Sequence, residues 1–313
     1  MRKAPRLLFA LLLASLFSAC LSSREPLAKE PDEVRIAAWN MEWFPYGQPA
    51  PIAADEQQTR VEAAAAFVRW RNPDVLLASE VTSALAATNL VLSIAGDYAV
   101  SSCSLFTTRD PNFSPQQTAI ISRYPTLDWG WERWQPDAAG VRPTRGFTWA
   151  VIDIRGHLIL FCCMHLKSNY IPEDQREDPV AVDKALRASW AAREESARQM
   201  VARANALSAQ TYDGRAVEGV FIGGDFNTCI FSDLFKGEKT LPILRAAGFR
   251  DCFVELPRDQ RISFPEQDGY PASVLDYLLY RGTPPVTAPA VAPKQDVSDH
   301  CMISTALSVP IKK

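Results

Sequence analysis

The sequence predicts an α/β layered fold in which sheets are covered on both faces. Strand-like runs are numerous, and several, such as Val75–Ala78 within DVLLASEV, are apolar on both faces rather than alternating. Sheets buried on both faces read as such continuous runs. Helical patterns are few and long, which suits helices laid over sheets. The 313 residues, 47% hydrophobic and 22% charged, have the composition of a globular chain with a sizeable core.

The elements follow in order. VRIAAWN (Val34–Asn40) is β-branched and apolar, a strand signal. Ala54 to Arg71 places Val61, Ala64, Ala65 and Val68 at helical spacing, and Asn72-Pro73 stops that helix before the strand Asp74–Val81. QTAIIS (Gln117–Ser122) is a further strand. Phe147–Ile154 and His157–His165 predict a hairpin turning at Arg155-Gly156. Asp183 to Ala209 predicts a long helix with an apolar stripe of Leu186, Trp190, Ala197 and Val201, and with Arg187, Arg193, Arg198 and Arg203 on its wet face. Val220–Gly223 and Val274–Tyr280 are short strands. Gly282 to Asp296 holds four prolines and predicts an irregular connection, followed by a last strand after Ser298-Asp299-His300. The tryptophans of DWGWERW (Trp129, Trp131, Trp134) read as covering a core edge, with base stacking or contact with lipid headgroups as the alternative. His157 reads as a solvated loop residue.

The N-terminus carries a separate message. Arg2, Lys3 and Arg6 precede an uncharged apolar run from Leu7 to Phe17, and Ser18-Ala19-Cys20 follows: the three parts of a secretory signal peptide. The run is too short for a comfortable membrane span. FSAC resembles the lipobox of bacterial lipoproteins, which implies export and a lipid anchor on Cys20. The alternative is an ordinary signal cleaved nearby, giving a secreted protein. The expected division is therefore a signal over 1–19, a flexible tether over 20–33 and one domain over 34–309. The formal charge of the whole chain is -3. Losing residues 1–19 removes three positive charges and no negative ones, which rules out a strongly basic nucleic-acid coat.

Six cysteines follow Cys20, with no CxxC pair, so a structural zinc site is not expected. Export permits disulfides, and a Cys229–Cys252 bridge is one expectation. Cys162 and Cys163 lie in an apolar strand and read as buried thiols.

The chemistry sits where polar residues end apolar strands. Asn40 and Glu42 close the first strand, Glu80 ends LLASE and His165 ends LILFCCMH. Asp225 and Asn227 follow FIGG, Asp276 lies in VLDYLLY, and Asp299 and His300 precede the last strand. A carboxylate at the end of a buried strand carries a desolvation cost unless a cation or donor meets it. One such residue would read as a capped loop, but this many at strand ends point to one shared site. Two of the chain's three histidines belong to the set.

RIAAWNMEWF, DVLLASEV, QTAIISRYP, MHLKSN, GGDFNT, VLDYLLY and VSDHCMI occur in that order, and together they resemble the endonuclease/exonuclease/phosphatase superfamily, which includes the deoxyribonuclease I-like enzymes. The resemblance implies a four-layer α/β/β/α sandwich of two mixed sheets with outer helices. It also implies hydrolysis of phosphoesters with a divalent metal, Mg2+ first and Mn2+ or Ca2+ as alternatives. Glu80, Glu42 and Asp299 are implied as metal ligands, with Asn40 beside them in the substrate site. Asp225 and Asn227 would orient or deprotonate the attacking water. His300 would contact the phosphate with Asp276 fixing its tautomer, His165 would flank the phosphate and protonate the leaving oxygen, and Arg145 would bind the phosphate. A hard cation and fixed donors are what an anionic phosphorus centre requires as charge builds up on it.

The substrate expected first is nucleic acid, cut outside the cytoplasm by a monomeric enzyme. The alternatives are a phospholipid or sphingomyelin phosphodiesterase, or a phosphatase on small phosphoesters. A non-catalytic surface-binding lipoprotein ranks last, because each catalytic residue can be named.

Overall fold

In a computed structural model, the described residues are 24–47, 51–107, 115–171, 174, 176–267, 269–282 and 286–312. The expected signal peptide and Cys20 lie outside them. The first sheet has six strands: β1 (Glu33–Phe44), β2 (Val75–Val81), β3 (Ala99–Cys103), β4 (Gln117–Ser122), β12 (Val286–Val291) and β13 (Ile303–Ser308). Their order is β12-β13-β1-β2-β4-β3, with β1 and β2 parallel and the other pairs antiparallel. The second sheet holds β5 (Thr126–Arg133), β6 (Gly146–Ile154), β7 (His157–His165), β9 (Arg215–Asp225), β10 (Arg250–Asp251) and β11 (Asp276–Gly282), in the order β10-β11-β9-β7-β6-β5. Here β7 and β9 are parallel, and the short β8 (Thr211–Tyr212) pairs with β9.

The period of two along each strand builds the layers. In β1, Ile36 and Ala38 face the second sheet, where Ile159, Phe161, Phe221 and Leu278 meet them. Ala37, Trp39 and Met41 face outward, onto α1 (Ala54–Arg71) and α2 (Ala84–Ile94). The outer face of the second sheet presents Leu160, Cys162 and Met164 to α3 (Pro179–Ser208) and α4 (Thr240–Ala246). The result is helix, sheet, sheet, helix: the four-layer sandwich of two mixed sheets. Phe161 and Phe221 stack at 5.4 Å between ring centroids in the middle layer.

The differences from the sequence reading have physical causes. α3 begins at Pro179, ahead of the expected Asp183, because Asp178 caps Val180 N and proline is tolerated in a first turn. Its buried face is Ser189, Ala192, Arg193, Ser196, Ala197, Met200, Ala204 and Leu207, so of the expected stripe only Ala197 is fully covered, and Arg193 is inside rather than wet. The proline-rich stretch forms β12, an edge strand whose pairing with β13 shifts between Thr287 and Ala290 around Pro289. β3, β5 and α2 carried no sequence expectation. Trp134 is buried and stacks on Phe147, Trp131 packs edge-on to Phe106, and Trp129 is exposed. His157 pairs with Glu218 at 2.8 Å instead of facing solvent alone. All six described cysteines are free, so there is no Cys229–Cys252 bridge. From Arg24 on, the expected tether lies against the domain: Lys29 pairs with Asp74 at 2.7 Å, and Leu27 N donates to Trp70 O. Among the described residues no helix is long and apolar enough to cross a membrane.

Candidate active site

The strand register gathers the polar residues at one rim of the sandwich. His165 and Asp276 both lie directly across from Asp225, at the ends of β7 and β11 on either side of β9. Gly224 makes this approach possible. Its φ is +126°, and a Cβ there would lie 2.1 Å from the Met164 carbonyl oxygen. From the first sheet come Asn40 and Glu80. Both strands lose their regular pairing there, between Asn40 and Phe44 and between Ser79 and Val81. Glu42, Trp43, Glu80, Arg145 and Asn227 all have positive φ, from 48° to 67°. Non-glycine residues in this region are costly, and a cluster of them marks a site over-determined by its surroundings.

Asn40 ties the two sheets together: its Nδ2 donates to Glu80 Oε1 and to Asp225 Oδ2, both at 3.0 Å. Asp225 also accepts Asn227 N at 2.8 Å and Asn227 Nδ2 at 3.0 Å. Trp43 N donates to Glu80 Oε2 at 3.2 Å. His300 and Asp276 form a pair, Nδ1 to Oδ2 at 2.7 Å, and His300 Nε2 lies 3.8 Å from Asp225 Oδ2. His165 Nε2 is 3.6 Å from both Glu80 Oε1 and Asp225 Oδ2. Both imidazoles line the same cleft as Glu80 and Asp225, and the cleft has a volume of about 340 Å³.

The electrostatics separate the two histidines. Burial, with the Arg145 charge beside it, holds His165 well below the usual histidine range. Burial would also lower His300, but Asp276, Asp225 and Asp299 outweigh it and raise His300 to about 10. Burial pushes Asp225 up to about 7, opposed by the His300 charge and assisted by Asp276. The site therefore holds a neutral imidazole, an imidazolium and a carboxyl poised near neutrality.

The ligand atoms that converge are those of Glu80, His165 and Asp225, all within 4.8 Å of one another. Two carboxylates and a neutral imidazole suit a divalent cation. His165 Nδ1 is buried without a hydrogen-bond partner, and Nε2 is beyond hydrogen-bond distance of both carboxylates. The imidazole is thus fixed in place with its polar atoms unspent, as a ligand awaiting a cation or phosphate would be. Glu42 is not in this group. It lies near Asp299 and the Arg60 guanidinium, and burial, then Asp299, raises its carboxyl. Asp299 lines the cleft, and burial raises it too. Arg145 also lines the cleft, but its Nε, Nη1 and Nη2 donate to His165 O, Gln116 Oε1 and Leu166 O at 3.1, 2.7 and 2.7 Å, bracing the His165 loop.

Some supporting residues escaped the sequence reading. Ser298 Oγ donates to Asn40 O at 2.6 Å and accepts His300 N at 3.0 Å, linking both ends of the first sheet's contribution. Its place beside Asp299-His300 was the only available signal. Arg60 Nη2 donates to Glu42 O and Val297 O at 2.9 and 2.7 Å. Arg193, fully buried, forms a bidentate pair with Glu238 at 2.8 and 2.6 Å and donates to Lys167 O and Asn169 Oδ1. It holds together two loops that line the cleft. Arg193→Met should lower stability by about 3–5 kcal/mol, because Glu238 is left as an unpaired buried charge. Arg193→Met/Glu238→Gln should recover much of that loss in thermal denaturation. Equal melting temperatures for wild type and Arg193→Met would refute this account.

The sequence model of the endonuclease/exonuclease/phosphatase family matches residues 37–300. The chain belongs to this family. Its members are phosphoester hydrolases that depend on divalent metal, and the matched span runs from β1 through His300. Solved structures share the fold of this family member. TDP2 from C. elegans is 17% identical over 95% of this chain and 81% of its own, with a TM-score of 0.58. Sphingomyelinase C from Streptomyces griseocarneus is 16% identical over 88% and 99%, with a TM-score of 0.57. The mannosyl-6-phosphatase of Bacteroides thetaiotaomicron is 15% identical over 87% and 98%, with a TM-score of 0.53. No curated protein matches the chain.

Proposed function

We propose that this protein is a divalent-metal-dependent hydrolase of compact phosphoesters, exported through its N-terminal signal and held at a membrane by a lipid on Cys20. The observation that carries the reaction is the convergence of Glu80, His165 and Asp225 beside the His300–Asp276 pair. Glu80, with His165 beside it, would hold a cation such as Mg2+, and the bound cation would offset charge building up on the phosphoryl oxygens. Burial favours the proton on Asp225, so this carboxylate would take the proton of the attacking water. Asn227 fixes the rotamer of that carboxylate through two hydrogen bonds. Asp276 holds the Nδ1 proton of His300, so that Nε2 presents an N–H to a phosphoryl oxygen.

Nucleic acid, the substrate expected first from sequence, has less support in the cleft. Among the described residues that line it, Arg145 is the one lysine or arginine, and each of its three nitrogens already donates to the protein. A polyanion draws its affinity from several such cations. A single phosphoester needs only the central constellation.

Hydrolysis of a chromogenic phosphodiester should fall to background in EDTA and return on adding Mg2+ or Mn2+ in excess. Turnover unchanged by EDTA would overturn the metal-dependent reading. Fractionation of the producing cells tests the anchor: Cys20→Ser should move the protein from the membrane to the soluble fraction.

A further inference from the structure

The walls of the cleft are apolar and braced. The two arms of a short hairpin, 263–267 and 269–273, are joined by bridges between Phe264 and Ser273 and between Gln267 and Tyr270. Its base is fixed to the catalytic residues. Ser263 Oγ accepts the backbone N–H groups of Leu275 and Asp276, both at 3.0 Å, and Cys301 N donates to Ser263 O at 2.7 Å. The hairpin therefore presents Phe264, Tyr270 and Pro271 in fixed register with His300, and the Phe264 ring meets the imidazole edge-on at 5.1 Å. Tyr170, Leu234 and Phe235 line the cleft from the two loops that Arg193 clamps. Tyr170, Leu234 and Tyr270 are 60%, 46% and 51% exposed. Large apolar side chains grouped in water, on loops rigidly held beside a reactive centre, are the signature of a surface that something covers in use.

We infer that the cleft takes phosphoesters whose organic group is apolar, an alkyl chain or an aryl ring that lies on Phe264, Tyr270 and Leu234 while the phosphoryl group meets His300 and Asp225. This assignment rests on the phosphoester reading above and names its substrate class. The adjacency supports it: one wall residue touches the imidazole that would hold the phosphate, so the organic group of a bound ester reaches the wall within a few bonds. The charges support it too, since among the described residues the lining offers no track of cations for further phosphates.

The test has a binding arm and a turnover arm, both with the full chain and Mg2+. Methyl-, octyl- and phenylphosphonate, whose P–C bond is not cleaved, are titrated by calorimetry. The methyl, octyl and phenyl diesters of 4-nitrophenyl phosphate, which share one leaving group, are assayed for kcat/KM, with supercoiled plasmid as a competitor. Affinity and kcat/KM should rise about tenfold or more from methyl to octyl or phenyl, as burial of that much apolar surface allows. Preference for octyl assigns lipid-like chains, and preference for phenyl assigns aryl esters. Leu234→Ser/Tyr270→Ser should bring the octyl-to-methyl ratio down towards one. Leu92→Ser, exposed on the outer helix α2, should keep it. Equal binding of the three phosphonates overturns the assignment whether or not any diester is hydrolysed, as does cleavage of plasmid in preference to the octyl and phenyl diesters. Size-dependent binding without any hydrolysis would leave the assignment standing and overturn the reaction instead.

Discussion

Glu80→Gln should fold normally and lose turnover by on the order of 10²-fold or more, because charge stabilisation at the phosphoryl group is the main catalytic contribution. The substitution is nearly isosteric. Its amide oxygen can still accept Asn40 Nδ2 or Trp43 N, the two donors that hold the carboxylate now. What disappears is the negative charge at the centre of the ligand group. Asp225→Asn should lose at least as much, with a larger stability cost. Oδ1 and Oδ2 of Asp225 accept three N–H donors, and one oxygen would become an NH2 facing donors. Circular dichroism melts alongside phosphodiester kinetics over a range of Mg2+ concentrations would separate the two effects. Near-wild-type turnover in folded Glu80→Gln would remove it from the ligand set.

The second large effect concerns the histidines. His300→Ala and His165→Ala should each abolish most turnover, and Asp276→Asn should cost less. The double histidine variant should be no worse than the worse single one, because groups acting on one phosphoryl centre fail as a unit. Simple addition of the two losses would argue for separate roles. If His165 were only a satisfied core residue, His165→Ala would lower the melting temperature with little selective loss of turnover. Asp276→Asn carries a further signature. Burial alone lowers His300, and Asp276 is the main group that raises it to about 10. With that carboxylate neutralised, His300 should lose its proton at lower pH, and the alkaline limb of kcat/KM should move towards neutrality. The same raised pKa stabilises the fold below the unfolded histidine range, a contribution lost as pH rises through about 10. An unmoved alkaline limb in Asp276→Asn would show that His300 does not act as the imidazolium.

Most of the sandwich was legible because its strands are apolar enough to be unmistakable. The helix Ala54–Arg71, the strand Gln117–Ser122 and the turn at Arg155-Gly156 stand where the pattern put them. Elements at the margins were not legible. β12 contains Pro289, which reads as a breaker and is tolerated only because the strand lies at the sheet edge. Arg193 reads as a wet residue, since no local pattern announces that Glu238, 45 positions away, will meet it. The candidate site was legible as a set of residue types at strand ends. Its division into a converging group (Glu80, His165, Asp225) and an acidic pair beside Arg60 (Glu42, Asp299) was not, because it depends on how two sheets face each other. For Arg145, the sequence could not reveal that its own chain's carbonyls would take up the guanidinium.

Neither sheet owns the chemistry. Asn40 and Glu80 ride on one, His165, Asp225 and Asp276 on the other, and the Asn40–Asp225 and His300–Asp276 bonds, 3.0 and 2.7 Å, span the seam at the rim. Below the rim the gap between the halves is set by the thickness of the side chains stacked between them: Leu77 against Leu278, and Phe161 on Phe221. These residues never meet substrate, yet they act as a gauge block for the reaction. A methylene added or removed there slides one half of the catalytic set past the other, and a protein that remains fully folded can lose its alignment by a fraction of an ångström.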